Sequence, residues 1–321
     1  MSLAHRIRTG LIACCVAGVA VAMLAPAAGA AKIGGTYLAL GDSLAYGYHA
    51  AQFEEQYAKG LVEPSTFEKG YVNDFAAALK LVNPSLKVID YGCPGETSET
   101  FIDGPVPAVP PTYAPYYCAG GKTGKPFPKT DLHNTYPGTQ LEAALSTLKA
   151  NPNVSPITLD IGANDLLQFL ATECGFPSKD TCGESQFALE FGKVATNVYL
   201  ILSQLHAAAP NAQIVLVGIY DPYPTTLPSP GADKDLAEFN TVLAGVAAKV
   251  PDTSFANPEP LFNPSLITGQ AESTDLPTIC ALTAMCPGGT FNPLSPKADI
   301  HPTTLGYAVM AGVLGVDFLT H

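Results

Sequence analysis

The sequence predicts an α/β protein, a parallel sheet covered by helices on both faces. Two observations carry this. Short apolar runs suited to buried strands alternate with longer runs of helical spacing from residue 37 to the C-terminus. The 321 residues are 47% hydrophobic and 9% aromatic, which supplies a core and excludes global disorder.

The elements follow in order. Tyr37-Leu38-Ala39-Leu40 is a buried strand ending at Gly41. Tyr71–Val82 has helical spacing, with Phe75, Leu79 and Leu81–Val82 on its apolar side. Residues 86–91 form a second strand, and residues 139–149 a helix with Leu141, Leu145 and Leu148 on one side. Residues 157–161 form the third strand. A long helix over 187–209 stops before Pro210. The fourth strand is 214–219, and a helix over 233–250 precedes a short fifth strand at 253–256. A final helix covers 304–319. Crossovers between parallel strands are expected to be right-handed. There is no internal repeat and no long linker, so one domain is expected.

The N-terminus reads as an export signal. Arg6 and Arg8 precede an apolar run of 14 residues, 11–24, shorter than the ~20 needed to span a bilayer. Ala28-Gly29-Ala30 fits a signal-peptidase site, so residues 1–30 are expected to be removed, leaving 31–321. The two arginines are not adjacent, as a twin-arginine signal requires. Cys14 opens the apolar run rather than following it, which argues against a lipid-anchored cysteine. No other stretch is apolar enough to cross a membrane. The remaining chain carries 28 acidic and 14 basic residues, net −14, and so lacks the basic footprint of a nucleic-acid binder. An extracellular monomer is expected.

Six cysteines remain after signal removal, and an even count in an exported chain implies disulfides. Fifteen pairings are possible. Spacing favours Cys174–Cys182 (8 apart) and Cys280–Cys286 (6 apart), leaving Cys93–Cys118 (25 apart). There is no C-x-x-C pair, so zinc is not indicated. Two long segments break the strand–helix pattern. Residues 104–130 carry seven prolines with Tyr113, Tyr116 and Tyr117, and 257–297 is a second irregular stretch. Each holds a cysteine expected to be bridged. They are either stapled surface loops or walls of a substrate cleft.

Four short motifs carry the chemistry. Gly41-Asp42-Ser43-Leu44 follows the first strand, where ligands of parallel α/β sheets sit. It is not the elbow of α/β-hydrolases, because Ala45 stands where G-x-S-x-G requires glycine. Alone, Ser43 is as readily a helix cap. Cys93-Pro94-Gly95-Glu96-Thr97 follows the second strand; Gly95 lets the backbone approach a ligand, or simply makes a turn. Gly162-Ala163-Asn164-Asp165 follows the third strand; Asn164 offers an amide donor to developing negative charge, or caps a helix. Asp299-Ile300-His301-Pro302-Thr303 places a histidine before the last helix, where it can take a proton from a serine.

Together, in this order, the motifs resemble those of the SGNH, or GDSL, hydrolase family, over nearly the whole chain from Leu40 onward. The resemblance implies a three-layer α/β/α sandwich, flavodoxin-like, around a five-stranded parallel sheet. It implies Ser43 as nucleophile, with its own N–H in the oxyanion hole beside the Gly95 N–H and the Asn164 amide, and His301 as general base. The cysteines and long loops look most like the secreted actinobacterial esterase and lipase branch, in which three sequential disulfides are usual. One departure stands out. The family places an aspartate three residues before the histidine; here that position is Ala298, and the acid is Asp299. On an extended loop, positions two and three before His301 point in different directions. Either the Ala298 carbonyl or the Asp299 carboxylate then orients the imidazole.

The expected activity is hydrolysis of small-molecule or lipid carboxylic esters through an acyl-enzyme, with no metal and no organic cofactor. A carbohydrate O-acetylesterase on the same site and a non-catalytic secreted binding module are the alternatives. Asp42 and Asp165 are expected to support their turns. His49 either lines the cleft or is structural, and His206 suits the C-terminus of its helix. His133 and His321 have no persuasive role.

Overall fold

The computed structural model describes residues 32–104, 117–118, 127–175, 182–224 and 232–321. The expected signal segment and most of the proline-rich loop, with Tyr113 and Tyr116, lie outside these. Five parallel strands form the central sheet: β1 (Thr36–Gly41), β2 (Lys87–Asp90), β3 (Val154–Asp160), β4 (Ile214–Val217) and β5 (Thr253–Ala256). Their order is β2-β1-β3-β4-β5, the flavodoxin-like order. The chain reverses direction across the sheet between β1 and β3, and a crevice opens beyond the carboxyl ends of strands at such a point. Gly41 and Asp160, the last residues of β1 and β3, are register partners there.

Short helices follow β1, α1 (Ser43–Tyr46) and α2 (Ala50–Ala58), and then the longer α3 (Tyr71–Val82). Beyond β2 come α4 (Ser98–Asp103) and α5 (Gln140–Ala150). Beyond β3 come α6 (Ala163–Thr172) and the 25-residue α7 (Glu184–Ala208). Helix α8 (Ala232–Ala247) joins β4 to β5. The C-terminal part holds α9 (Leu276–Leu282), a two-stranded pairing of β6 (Thr283–Ala284) with β7 (Asp299–Pro302), and α10 (Thr304–Thr320).

Strand alternation divides the core into two layers. Leu38, Leu40, Ile157, Leu159, Ile214 and Leu216 point to one face, under α5, α7 and α8. Tyr37, Ala39, Val215 and Val217 point to the other, under α3 and α10. All ten are 1% exposed or less, as strands covered on both faces should be. Burial on the order of 1.5–3 kcal/mol per large apolar side chain makes this the main source of stability.

Three expectations need correction. Leu81 and Val82 were read into the apolar side of α3, but they are 77% and 60% exposed. The helix buries Tyr71, Val72, Phe75, Ala76 and Leu79. Leu81 lies two residues beyond Leu79, about 200° around the helix, and so faces solvent. The third strand begins at Val154 rather than 157. Its pairing with β1 shifts register between Thr36 and Leu38, which accommodates Pro156. A proline, lacking an N–H for the ladder, belongs at such a bulge. The stretch read as irregular, 257–297, contains short helices at Glu259–Phe262, Ser265–Thr268 and α9, as well as β6. Its turns every few residues hide helical periodicity.

The disulfides Cys174–Cys182 and Cys280–Cys286 are present. Cys93 is also disulfide-bonded. The side chain of Cys118, its expected partner, lies outside the described residues. Among the described residues no helix is long and apolar enough to cross a membrane.

Candidate active site

Four loops meet beyond the carboxyl ends of β1, β2 and β3. The first is fixed by Gly41, at φ +140°, where a Cβ would lie 2.3 Å from the Asp160 carbonyl oxygen. Only glycine fits. The Gly41 N–H donates to Gln140 Oε1 at 2.7 Å, and Gln140 Nε2 donates back to the Gly41 carbonyl at 2.9 Å. The chain then enters α1 with Asp42, not Ser43, as its cap: Asp42 Oδ1 accepts from the Leu44 N–H at 2.9 Å. The capping task thus falls to Asp42 and leaves the Ser43 hydroxyl free for other partners.

That hydroxyl lies 2.8 Å from His301 Nε2. His301 sits on β7, held by pairing with β6 and by the Tyr220 hydroxyl, which donates to the Ile300 carbonyl at 2.6 Å. The Tyr48 ring covers the imidazole, with centroids 4.7 Å apart. Nδ1 of His301 lies 2.5 Å from Asp299 Oδ1. The same carboxylate accepts the Ala50 N–H at 2.8 Å and the His301 N–H at 3.1 Å. So the partner of Nδ1 is the Asp299 carboxylate rather than the Ala298 carbonyl. The reason is local: this segment is a strand, where residues two apart share a face and residues three apart do not. An aspartate two before the histidine is the position that reaches.

Gly95, at φ +85°, is the third residue of a turn closed by the Glu96 N–H on the Cys93 carbonyl at 3.0 Å. A positive φ after Pro94 is the type II geometry that favours glycine. Asn164 Nδ2 donates to the Glu96 carbonyl and to Asp42 Oδ2, both at 3.0 Å. The amide therefore ties the Gly95 loop to the Ser43 loop. Asp165 does not merely brace its own turn. It accepts the Ser98 N–H at 2.9 Å and the Ser98 hydroxyl at 2.6 Å, locking the start of α4 to the start of α6.

The charges of the site have physical causes. Burial raises Asp299, but the adjacent His301 and the N–H groups of Ala50 and His301 outweigh it, so the carboxyl stays below its ordinary value. Burial pushes Glu96, behind Gly95, up to about 7, and Asp165 up to about 6. His49 stands beside the site at the start of α2, its ring edge-on to Tyr307 at 5.6 Å. Burial lowers its pKa. His133 Nε2 bonds the Tyr46 carbonyl at 2.9 Å, a structural contact. His206 lies in the last turn of α7, and His321 contacts the Asp317 carbonyl. Among the described residues no group of three or more His, Cys, Asp or Glu side chains is arranged to hold a metal ion. Tyr48, Gln140, Asp160 and Tyr220 were not singled out from the sequence. Of these only Asp160, a carboxylate at a strand's carboxyl end, carried a signal.

A hydroxyl, an imidazole and a carboxylate hydrogen-bonded in series at the switch point of a parallel sheet form the arrangement used by serine hydrolases. The GDSL-like lipase/acylhydrolase family matches residues 39–309, and the chain belongs to it; it is a carboxylic ester hydrolase. Among solved structures, a lipase from a goat rumen metagenome is 16% identical, with a TM-score of 0.50, covering 87% of this chain and 95% of its own. The extracellular lipase of Streptomyces rimosus is 18% identical, with a TM-score of 0.48, covering 88% and 99%. An acetylxylan esterase from Geobacillus stearothermophilus is 13% identical, with a TM-score of 0.46, covering 88% and 94%. At 16% identity the likeness to the goat rumen lipase speaks to the fold alone. No curated protein matches the chain.

Proposed function

We propose that this protein is a secreted serine esterase or lipase. In this reading Ser43 attacks the ester carbonyl while His301 Nε2 takes its proton. Asp299 holds the imidazole in the tautomer that leaves Nε2 unprotonated and then steadies the imidazolium. The tetrahedral oxyanion is received by the N–H groups of Ser43 and Gly95 and by the Asn164 amide. His301 protonates the departing alcohol. Water, deprotonated by His301, then attacks the acyl-enzyme and releases the acid. The single observation that carries the reading is the unbroken series Ser43 Oγ, His301 Nε2, His301 Nδ1, Asp299 Oδ1, at 2.8 and 2.5 Å. Asn164 is already donating to Glu96 and Asp42, so a substrate oxygen must draw the amide away from one of them.

The wider reading assigns residues 1–30 to an export signal and 31–321 to one hydrolase domain, with three bridges, Cys93–Cys118 being the third. Export is supported by the disulfides Cys174–Cys182 and Cys280–Cys286. The substrates are small-molecule or lipid esters, acted on by a monomer without a cofactor. The test is hydrolysis of p-nitrophenyl acetate, butyrate, octanoate and palmitate by the protein and by Ser43→Ala. Activity that vanishes in the variant supports Ser43 as nucleophile; equal activity in both proteins refutes it. A profile confined to acetate turns the reading towards a carbohydrate O-acetylesterase.

A further inference from the structure

Two carboxyls meet directly under the Ser43 turn, and the ester-hydrolysis mechanism above uses neither. Asp42 and Asp160 are each 1% exposed. The two side chains are immediate neighbours that act on one another's charge; two bare carboxylates buried together repel, and a proton between them removes the repulsion. The Asp42 N–H points at Asp160 Oδ2 at 3.2 Å, and the Tyr71 hydroxyl donates to Asp160 Oδ1 at 2.6 Å. On the far side, Asp42 accepts from the Leu44 N–H at 2.9 Å and from Asn164 Nδ2 at 3.0 Å. The Ser43 hydroxyl is 3.4 Å from Asp42 Oδ1. Among the described residues neither carboxyl forms an ion pair.

We propose that Asp42 and Asp160 share one proton, and that this singly charged pair sets the positions of Ser43 and of the Asn164 amide, which makes Asp160 a positioning residue. The positioning role rests on the serine-hydrolase reading; the shared proton does not. The donors assign the states. Asp42 receives two N–H groups, from Leu44 and from the Asn164 amide, and serves best as the anion. Asp160, with the Tyr71 phenol and its own proton, serves as the acid. Burial raises both carboxyls, and the charge of Asp42 raises Asp160 further.

The groups facing the pair leave the proton no rival. Tyr37 of β1, Tyr71 of α3, Tyr220 and Tyr307 of α10 are phenols that burial holds well above their ordinary value of 10.0. Thr158 of β3 bonds the Tyr37 hydroxyl and does not titrate. Glu96, at about 7, adds negative charge towards Asp42 once ionised. Among the described residues, the basic side chain whose charge acts on Asp42 is His301 of β7. A second negative charge under the turn would oppose the oxyanion forming above it and loosen the Asp42 cap. One proton prevents both.

The test begins with infrared spectra at pH ~9, above the values of about 6, 7 and 6 for Asp90, Glu96 and Asp165. The protein should show the carbonyl stretch of a protonated carboxyl there, and Asp160→Asn should lose it. Kinetics then test positioning. Asp160→Ala should lower kcat about tenfold or more with little change in KM, as expected for misplaced reacting groups. Asp160→Asn should recover most of that loss, because the amide still donates to Asp42. It should also lack the fall in kcat at high pH that the protein shows as the shared proton leaves. Absence of the protonated band in the protein overturns the shared proton. A high-pH limb unchanged in Asp160→Asn, or an Asp160→Asn as damaged as Asp160→Ala, overturns the positioning role. If no ester is hydrolysed, the infrared band still decides the proton, so the two failures are told apart.

Discussion

Replacing Asp299 by asparagine separates a carboxylate-oriented histidine from a backbone-oriented one. Three N–H groups converge on its two oxygens: Nδ1 of His301 and the His301 N–H on Oδ1, and the Ala50 N–H on Oδ2. Asparagine has one oxygen for both tasks. With its oxygen towards His301, the amide NH2 meets the Ala50 N–H, donor against donor. With its oxygen towards Ala50, the NH2 faces Nδ1, which must then accept. That moves the ring proton to Nε2, where it can no longer take the Ser43 proton. Either way one charge-assisted hydrogen bond worth about 1.5–3 kcal/mol is lost. The imidazolium also loses its counter-charge, a change that costs about 10⁴-fold in the well-studied Ser-His-Asp proteases. The expected result is a fall in kcat of about 10³-fold with KM little changed, read by p-nitrophenyl ester hydrolysis. Stability gives a second readout. The folded pKa of Asp299 lies below its unfolded value, so its contribution is present above the unfolded value and is lost as pH falls through the folded one. The stability gap between protein and variant, from urea denaturation, should therefore close on acidification. A variant within a fewfold of the protein in kcat would refute the argument and return the orienting role to a backbone carbonyl such as that of Ala298.

Glu96→Gln tests the buried acid behind Gly95. Its folded pKa of about 7 exceeds the ordinary 4.5, so ionising it in the folded state costs about 3 kcal/mol above pH 7. The variant should match the protein in stability below the unfolded value and exceed it increasingly as pH rises towards about 7; a pH-independent difference in urea midpoints would contradict this. Asn164→Ala should lower kcat about 10²- to 10³-fold by removing one oxyanion donor, with KM close to unchanged. It also severs the tie between the Asp42 and Glu96 loops, so its far-ultraviolet spectrum and melting temperature should be measured alongside; an unchanged kcat with an intact fold would remove Asn164 from the oxyanion hole.

How much was legible in the sequence follows from the range of each interaction. The central strands β1, β3 and β4 are readable because each is a short run whose side chains are buried on both faces, and the partly buried edge strand β5 lies residue for residue where the sequence puts it, at Thr253–Ala256. Helix faces were less secure at their ends, where one apolar residue such as Leu81 can fall on either side of the stripe. The motif residues Ser43, Gly95, Asn164 and His301 were found because they follow strands or precede the last helix, positions that local patterns mark. What joins them was not legible. Gln140 clamps Gly41 across 99 positions, and Asp160 meets Asp42 across 118. Neither partner sits in a motif. The orientation of Asp299 turned on whether its segment is a loop or a strand, which depends on pairing with Thr283 and Ala284. That pairing has no periodic signature in four residues. The site was thus readable where the chain is its own neighbour. It was silent where a side chain's role is set by a strand or helix a hundred residues away. The carboxyl pair under Ser43 belongs to the second kind: Asp42 alone reads as a helix cap and Asp160 alone as a strand-end aspartate, and only the register of β1 against β3 makes them one titrating unit.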